Sequence, residues 1–355
     1  MGSQSQIKFD DNHYQQIMKK FNYEPTKFSR INFGLKNVLE EDLQRRWLCH
    51  HGADKASKRL SEGKKTIIST GIGISGVPHI GTISQIMRLS YFQTAGIDVN
   101  FVLGDLDAYN GKNKDLHYVI ELTKQYFEFM KRLGLENKHG TTVRDQYNSP
   151  IVLRTMYLIG KYANEDLFVN AEEELHEFYA KSGKVDDNMS YRRKLSLNLM
   201  TADFIHLLLS DSYDNVIVAL GIDEHQYVLF ARRILERLTG SEFQPVCEDK
   251  LIAGLYSPLI IGLYGYPKMS KSFPQSSITV LTPKDDVASA IRNGEGDYDF
   301  PENNVIFQMM SAVGECSAEE LKVNYDACSK RNSIWNGIKE QFIDKLLNVI
   351  EKWPA

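Results

Sequence analysis

Two stretches of this chain combine residue types suited to handling a polyphosphate. The first runs from Thr66 to Thr82. It opens on the β-branched run Thr66-Ile67-Ile68-Ser69-Thr70, an expected buried strand, passes Gly71, Gly73 and Gly76, and closes on Pro78-His79-Ile80-Gly81-Thr82. An amphipathic segment follows from Ile83. A strand, a glycine turn and a helix start, in that order, offer backbone N–H groups and a positive helix end to a phosphate. The glycines alone carry no dinucleotide assignment, because such a turn is more often structural. The second stretch is Lys268-Met269-Ser270-Lys271-Ser272, in a segment flanked by Gly262, Gly265, Pro267 and Pro274. Two ammonium groups and hydroxyl donors on a mobile loop suit charge that develops on a leaving pyrophosphate. A solvated lysine turn would explain K-x-x-K by itself; it does not explain both stretches.

Together the two stretches resemble the signature motifs of class I aminoacyl-tRNA synthetases, in the tryptophanyl and tyrosyl branch and nearer the tryptophanyl enzymes. Further segments carry the same resemblance. Leu199-Met200-Thr201-Ala202-Asp203-Phe204-Ile205 is similar to the family's L-M-A-A-D-I helix, and Gly221-Ile222-Asp223-Glu224 to its G-x-D-Q segment. Phe273 to Ile278 resembles D-P-N-S-S-I, and Ser317 to Tyr325 resembles an S-x-E-E-L…Y stretch. The resemblance runs from about Thr66 to the C-terminus and is poor in the middle.

This resemblance implies an ATP site at Gly71, Gly73, Gly76, His79, Gly81, Thr82 and Lys268 to Ser272 (Lys268, Met269, Ser270, Lys271, Ser272), with His79, Lys268 and Lys271 as the catalytic groups and Mg²⁺ accompanying ATP. It implies a substrate site at Met200, Asp203, Val216, Val218, Gly221, Asp223 and Glu224. Asp203 would meet the polar edge of an aromatic side chain, and Val216 and Val218 would wall its ring. The implied partners are an amino acid, a tRNA and a second copy of the chain, the dimer drawing on aromatic-rich helices between Leu116 and Lys184. Four positions depart from the family: Thr82 where Asn or His is usual, Asp107 for the His of D-L-H-A, Ser196 for a Tyr, and Glu224 for a Gln. Ser196 is too short to hold a substrate ammonium, whereas a carboxylate at Glu224 pairs with one more strongly than an amide does. The departures keep a second reading open, a paralogue that activates another carboxylate for a different acceptor. A non-catalytic nucleotide- or RNA-binding regulator is opposed by the intact lysine stretch.

Composition allows all of this. A chain of 355 residues with 42% hydrophobic and 25% charged content can bury a large core. No apolar run reaches the ~20 residues of a membrane span, and no secretory signal opens the sequence, so a cytoplasmic protein is expected. A net charge of −4 disfavours non-specific nucleic-acid binding while leaving local basic faces such as Arg192-Arg193-Lys194. The cysteines lack C-x-x-C spacing, and Cys49-His50-His51 does not make a metal site, since neighbours on a helix diverge.

The elements that must position these residues follow from periodicity. The expected fold is α/β: a Rossmann-like parallel sheet forming a nucleotide-binding core, with an N-terminal helical arm and a small C-terminal helical bundle. The arm covers residues 1–64, with Leu35, Val38, Leu39, Leu43 and Trp47 at helical spacing. The catalytic domain covers 65–282 with a helical insertion near 149–190, and the helical domain covers 283–355. Strands are expected at Val99–Leu103, Thr141–Arg144, Val216–Leu220 and Ile278–Leu281. Asp105 and Asp107 follow the second strand, where ligands of open α/β sheets bind; capping the next turn explains them equally well. The run Glu172-Glu173-Glu174 reads as part of a solvated face.

Overall fold

The computed structural model describes residues 9–26, 31, 33, 41, 45–138, 140–169, 171–185, 189–211, 213–294 and 296–354. Seven strands form one sheet: β1 (Glu24–Pro25), β2 (Cys49–His51), β3 (Thr66–Gly73), β4 (Asp98–Gly104), β5 (Thr141–Asp145), β6 (Asn215–Gly221) and β7 (Leu251–Ser257). Their spatial order is β1-β2-β7-β6-β3-β4-β5. From β7 to β5 all neighbours are parallel, with Ile68 opposite both Val99 and Ile217. β3, β4, β6 and β7 are buried along nearly their whole length, as strands covered on both faces are, while the edge strand β5 (Thr141-Thr142-Val143-Arg144-Asp145) is more polar.

The N-terminal arm is more than helical. After the helix Asp11–Phe21 it supplies β1 and β2, which extend the sheet antiparallel beyond β7, with His50 opposite Leu255. Of the helical stripe expected there, Trp47 is buried, while Leu35, Val38, Leu39 and Leu43 lie outside the described residues. Two other differences concern strands. Leu251–Ser257, left unassigned by periodicity, is a central strand. Ile278–Leu281 is not a strand and contributes one isolated bridge, Thr279 to His79.

Residues on alternate sides of a strand enter different layers. Ile217 and Ala219 face a cluster with Ile83, Ile86, Leu89 and Phe92 of the helix Ile80–Thr94, and this cluster continues into Trp335, Phe342 and Leu346 of the C-terminal helix Ser333–Ile350. Val216 and Val218 face the other cluster, with Phe204, Ile205 and Leu208 of the helix Tyr191–Leu209. The helix Leu116–Arg132 is started by Asp115, whose carboxylate accepts from the Tyr118 amide at 2.8 Å. Its Tyr126 and Phe129 pack edge-on against Trp353 and are core residues, so they offer no surface to a second chain. Between residues 150 and 184 the helices are short: Pro150–Gly160, Glu165–Phe168 and His176–Lys181.

Candidate active site

A cavity of about 320 Å³ opens at the carboxyl ends of β3, β4, β6 and β7. One side is the glycine stretch. Gly71 and Gly73 lie within β3 itself, and the chain then turns to His79, which is the N-cap of the helix Ile80–Thr94. The His79 Nδ1 accepts the Gly81 amide at 3.0 Å. A β-carbon on Gly81 would stand 2.8 Å from the His79 ring, so glycine there lets the imidazole fold over its own helix start. Burial, together with the charges of Lys271 and Lys268, pushes the His79 pKa down to about 3. The ring is therefore neutral, and a lone pair on Nδ1 is committed to the cap.

The lysine stretch closes the opposite side. Ser270 is pinned from several directions: its amide donates to Ser276 Oγ and Ser277 Oγ at 3.0 Å each, and its hydroxyl accepts from Tyr179 at 3.0 Å. Phe273 stacks on Tyr179, with ring centroids 5.9 Å apart. The Lys271 ammonium reaches across to the Gly73 carbonyl at 2.7 Å and lies over the Tyr126 ring. It has no ion-pair partner among the described residues, and burial lowers its pKa to about 7, with Glu224 opposing the shift.

Lys268 is placed differently. It pairs with Asp223 and stands 3.5 Å from Glu173. Burial disfavours its charge, yet Asp223, Tyr179, Glu173 and Glu224 together hold its pKa well above the ordinary value. Two carboxylates pair with this one ammonium, and Glu224 feels its charge without touching it. Burial raises Asp223 and Glu224 despite it, whereas Lys268, Lys112 and Arg193 overcome burial at Glu173 and keep that group ionised. Glu224 lines the cavity without a hydrogen-bond or ion-pair partner among the described residues.

The remaining residues expected at the site divide into those that line the cavity and those that do not. Thr82, Met200, Asp203, Gly221, Asp223, Glu224 and Lys268 to Ser272 line it. Val216 and Val218 do not: both are fully buried in the layer beneath the helix Tyr191–Leu209, and Ala219, Leu220 and Gly221 take the lining positions on that strand. Gly76 also stands back from the cavity, its carbonyl accepting from Tyr126 Oη at 2.8 Å. Asp203 already has a partner on each oxygen, Arg144 at 2.8 Å and the Gln146 amide at 2.7 Å. Asp105 is a turn residue, accepting from the Leu106, Gln146 and Tyr147 amides. Asp107 lines the cavity and is hydrogen-bonded to Ser196, itself held by Asn110 at 3.2 Å. Two departures from the family, Asp107 and Ser196, are thus partners of each other.

Sequence reasoning missed Arg144, Gln146, Lys112, Tyr179, Arg193 and Tyr227, which also line the cavity or hold residues that do. It also misplaced the carboxylate run. Glu172 pairs with Arg193, Glu173 with Lys268, and Glu174 with His225 at 2.8 Å, so this run faces inward. The one local signal was the pair of small and apolar flanks, Ala171 and Leu175, both buried.

Against this geometry the likenesses to known proteins can be set. Residues 61–345 match the family described as tRNA synthetases class I (W and Y). A tryptophan–tRNA ligase of Hyperthermus butylicus is 25% identical over 66% of this chain and 59% of its own length. A cytoplasmic tyrosine–tRNA ligase of Gallus gallus is 23% identical over 74% of this chain and 46% of its own. The chain therefore spans about half to three fifths of those two relatives. The tryptophanyl-tRNA synthetase structure of Aeropyrum pernix superposes with a TM-score of 0.77 at 21% identity, covering 96% of this chain and 92% of that one, a likeness of fold. With the family match extending over most of its length, the chain belongs to the class I tRNA synthetases of the tryptophan and tyrosine type.

Proposed function

We propose that the chain activates an amino acid with ATP and passes the acyl group to a tRNA. A carboxylate oxygen attacks the α-phosphorus, the bond to the bridging oxygen breaks, and pyrophosphate leaves. No general base is required, because the carboxylate is already ionised, so the protein's contribution is position and charge. The observation that carries this reading is Lys271: a half-buried ammonium with no ion-pair partner among the described residues, reaching across the cavity to the glycine strand. A triphosphate in that gap supplies the missing anion. Lys268 would meet the same charge, and Mg²⁺ would arrive on the phosphates, which suits its preference for phosphate oxygen and water.

The substrate in this reading is tryptophan or a related aromatic amino acid, whose ring would lie among Met200, Leu197, Phe204 and Tyr227 and whose ammonium would face Glu224. A second reading has its own support. Asp203 is already paired on both oxygens, and Ser196 is engaged by Asp107, which favours a different carboxylic acid; that reading would pair it with an acceptor other than tRNA. ATP–pyrophosphate exchange over a panel of amino acids and their desamino analogues tests both. Exchange with aromatic amino acids supports the first; exchange with other acids only supports the second; none with any acid refutes adenylate formation. Work in the cytoplasm fits the reading; no described helix is long and apolar enough to cross a membrane. A homodimer is proposed with it, through exposed Ile151, Tyr157 and Leu158 on one helix. A monomeric mass at micromolar concentration would refute the dimer.

A further inference from the structure

Part of the cavity wall is used by neither stretch and carries uncompensated donors. Ser84 and Arg88 lie four apart on the helix Ile80–Thr94 and so share a face. Trp47 is carried there by the N-terminal arm, where the next amide, Leu48, donates to the Tyr256 carbonyl at 2.7 Å. Ser257 ends β7. All four residues line the cavity. Arg88 is 8% exposed, and among the described residues the one hydrogen bond of its guanidinium runs to Ser257 Oγ at 3.1 Å. Its Cζ lies over the Trp47 ring, 5.6 Å from the ring centre. No carboxylate pairs with it among the described residues, and Arg46 adds a further positive charge that, with burial, pulls its pKa down to about 9. Ser84 is wholly buried with an unpartnered hydroxyl, and Trp47, 4% exposed, has an unpartnered indole N–H.

A buried guanidinium without a counter-ion is costly, and the usual remedy is an anion that also satisfies the neighbouring donors. Water could satisfy the indole and the hydroxyl but would leave the charge unbalanced. We propose that this corner is an anion subsite for a small oxyanion, phosphate or carboxylate, with the Arg88 guanidinium supplying charge and Trp47 Nε1 and Ser84 Oγ the remaining donors. The corner shares the cavity with the lysine stretch, but no hydrogen bond or ion pair among the described residues joins the two, so occupation of one is separable from the other by mutation.

The test is titration of the full-length protein with inorganic phosphate and, separately, with acetate, at ionic strength fixed by chloride. Trp47 fluorescence gives a local readout (Trp47→Phe identifies the signal) and calorimetry gives the affinity. A saturable response to one anion is expected in the wild type and in Lys271→Met, and it identifies which oxyanion the site takes. Arg88→Met should weaken it roughly tenfold or more, the loss of one charge-assisted contact. Should Arg88→Met not fold, as judged by circular dichroism, Arg88→Lys and Ser84→Ala must each weaken binding. The proposal is overturned by three results: no saturation with either anion, Arg88 variants that bind like the wild type, or a response that disappears in Lys271→Met and so belongs to the lysine stretch.

Discussion

The two lysines of one five-residue stretch stand in opposite surroundings. Lys271 faces the glycine strand with no carboxylate beside it, while Lys268 is enclosed by Asp223 and Glu173 with Glu224 nearby. One ammonium is left without an ion-pair partner among the described residues, the charge the proposed triphosphate would meet; the other already balances the protein's own carboxylates. Residue type and spacing are the same at both, so the difference is created by what the rest of the chain brings to each. That contrast extends to the two ends of the cavity, one rich in donors and the other in carboxylates.

The largest expected effect comes from removing Lys268. Lys268→Ala should slow pyrophosphate exchange by ~10²–10³-fold, as loss of a preorganised charge contact does. It should also destabilise the fold by ~3–5 kcal/mol, because Asp223 and Glu173 would remain buried without their cation. Denaturation and single-turnover kinetics on the same preparation separate the two. Unchanged stability would break the comparison, since Lys268 would then not be neutralising its neighbours.

Lys271→Met should match that loss of exchange without the loss of stability. Its folded pKa of about 7 lies below the ordinary lysine value of 10.5, so folding disfavours the charged form. The cost is absent above pH ~10.5, grows as pH falls towards 7 and is complete below it. The variant should therefore be more stable than wild type at pH 6, with the gain shrinking as pH rises towards 10. A variant less stable at pH 6 would show that Lys271 has a partner in the empty site.

The same contrast explains what was legible in the sequence. The donor-rich end is made of contiguous residues: β3, the His79 cap and the five-residue loop each keep their chemistry within a few positions, so spacing reveals them. The carboxylate end is assembled from Asp107, Gln146, Glu173, Glu224 and the helix residues Ser196 and Asp203, which come from five separate segments. No local pattern announces that Glu173 will meet Lys268, or that Arg144 and Gln146 will use up Asp203. The parallel core was readable from its β-branched runs. The antiparallel strands of the arm were not, because β1 is two residues long and β2 is Cys49-His50-His51, which lacks an apolar alternation. Val216 and Val218 were misassigned for a related reason: the sequence gives the strand's alternation but not which face borders the cavity.

At the carboxylate end, burial and Asp223 raise the Glu224 pKa to about 8, so the comparison belongs above that pH. There Glu224→Gln should raise KM for an α-amino acid about tenfold while leaving its desamino analogue unchanged, because a charged acceptor contributes roughly 1.5–3 kcal/mol where a neutral one contributes about half. Equal changes for both substrates would remove Glu224 from the ammonium and leave it a cavity-wall residue.

The smallest effect, and the one that separates the two lysines without disturbing either, is a proton count. In the empty site Lys271 is mostly neutral at pH 8, since its pKa is lowered to about 7 by burial. A triphosphate placed beside it favours the charged form and raises that pKa. ATP binding at pH 8 should therefore take up close to about one proton, and affinity should fall as pH rises above 7 towards the raised value. At pH 6 the ammonium is already charged, so its share of the uptake should vanish. Lys268, held above its ordinary value by Asp223 and its neighbours, is charged throughout this range and should contribute nothing. Calorimetry of ATP binding in buffers of different ionisation heat measures the count, and Lys271→Met should abolish the pH 8 uptake. A variant that still takes up the proton would move the titration to another group, with Glu224, raised by burial and by Asp223, the first to examine.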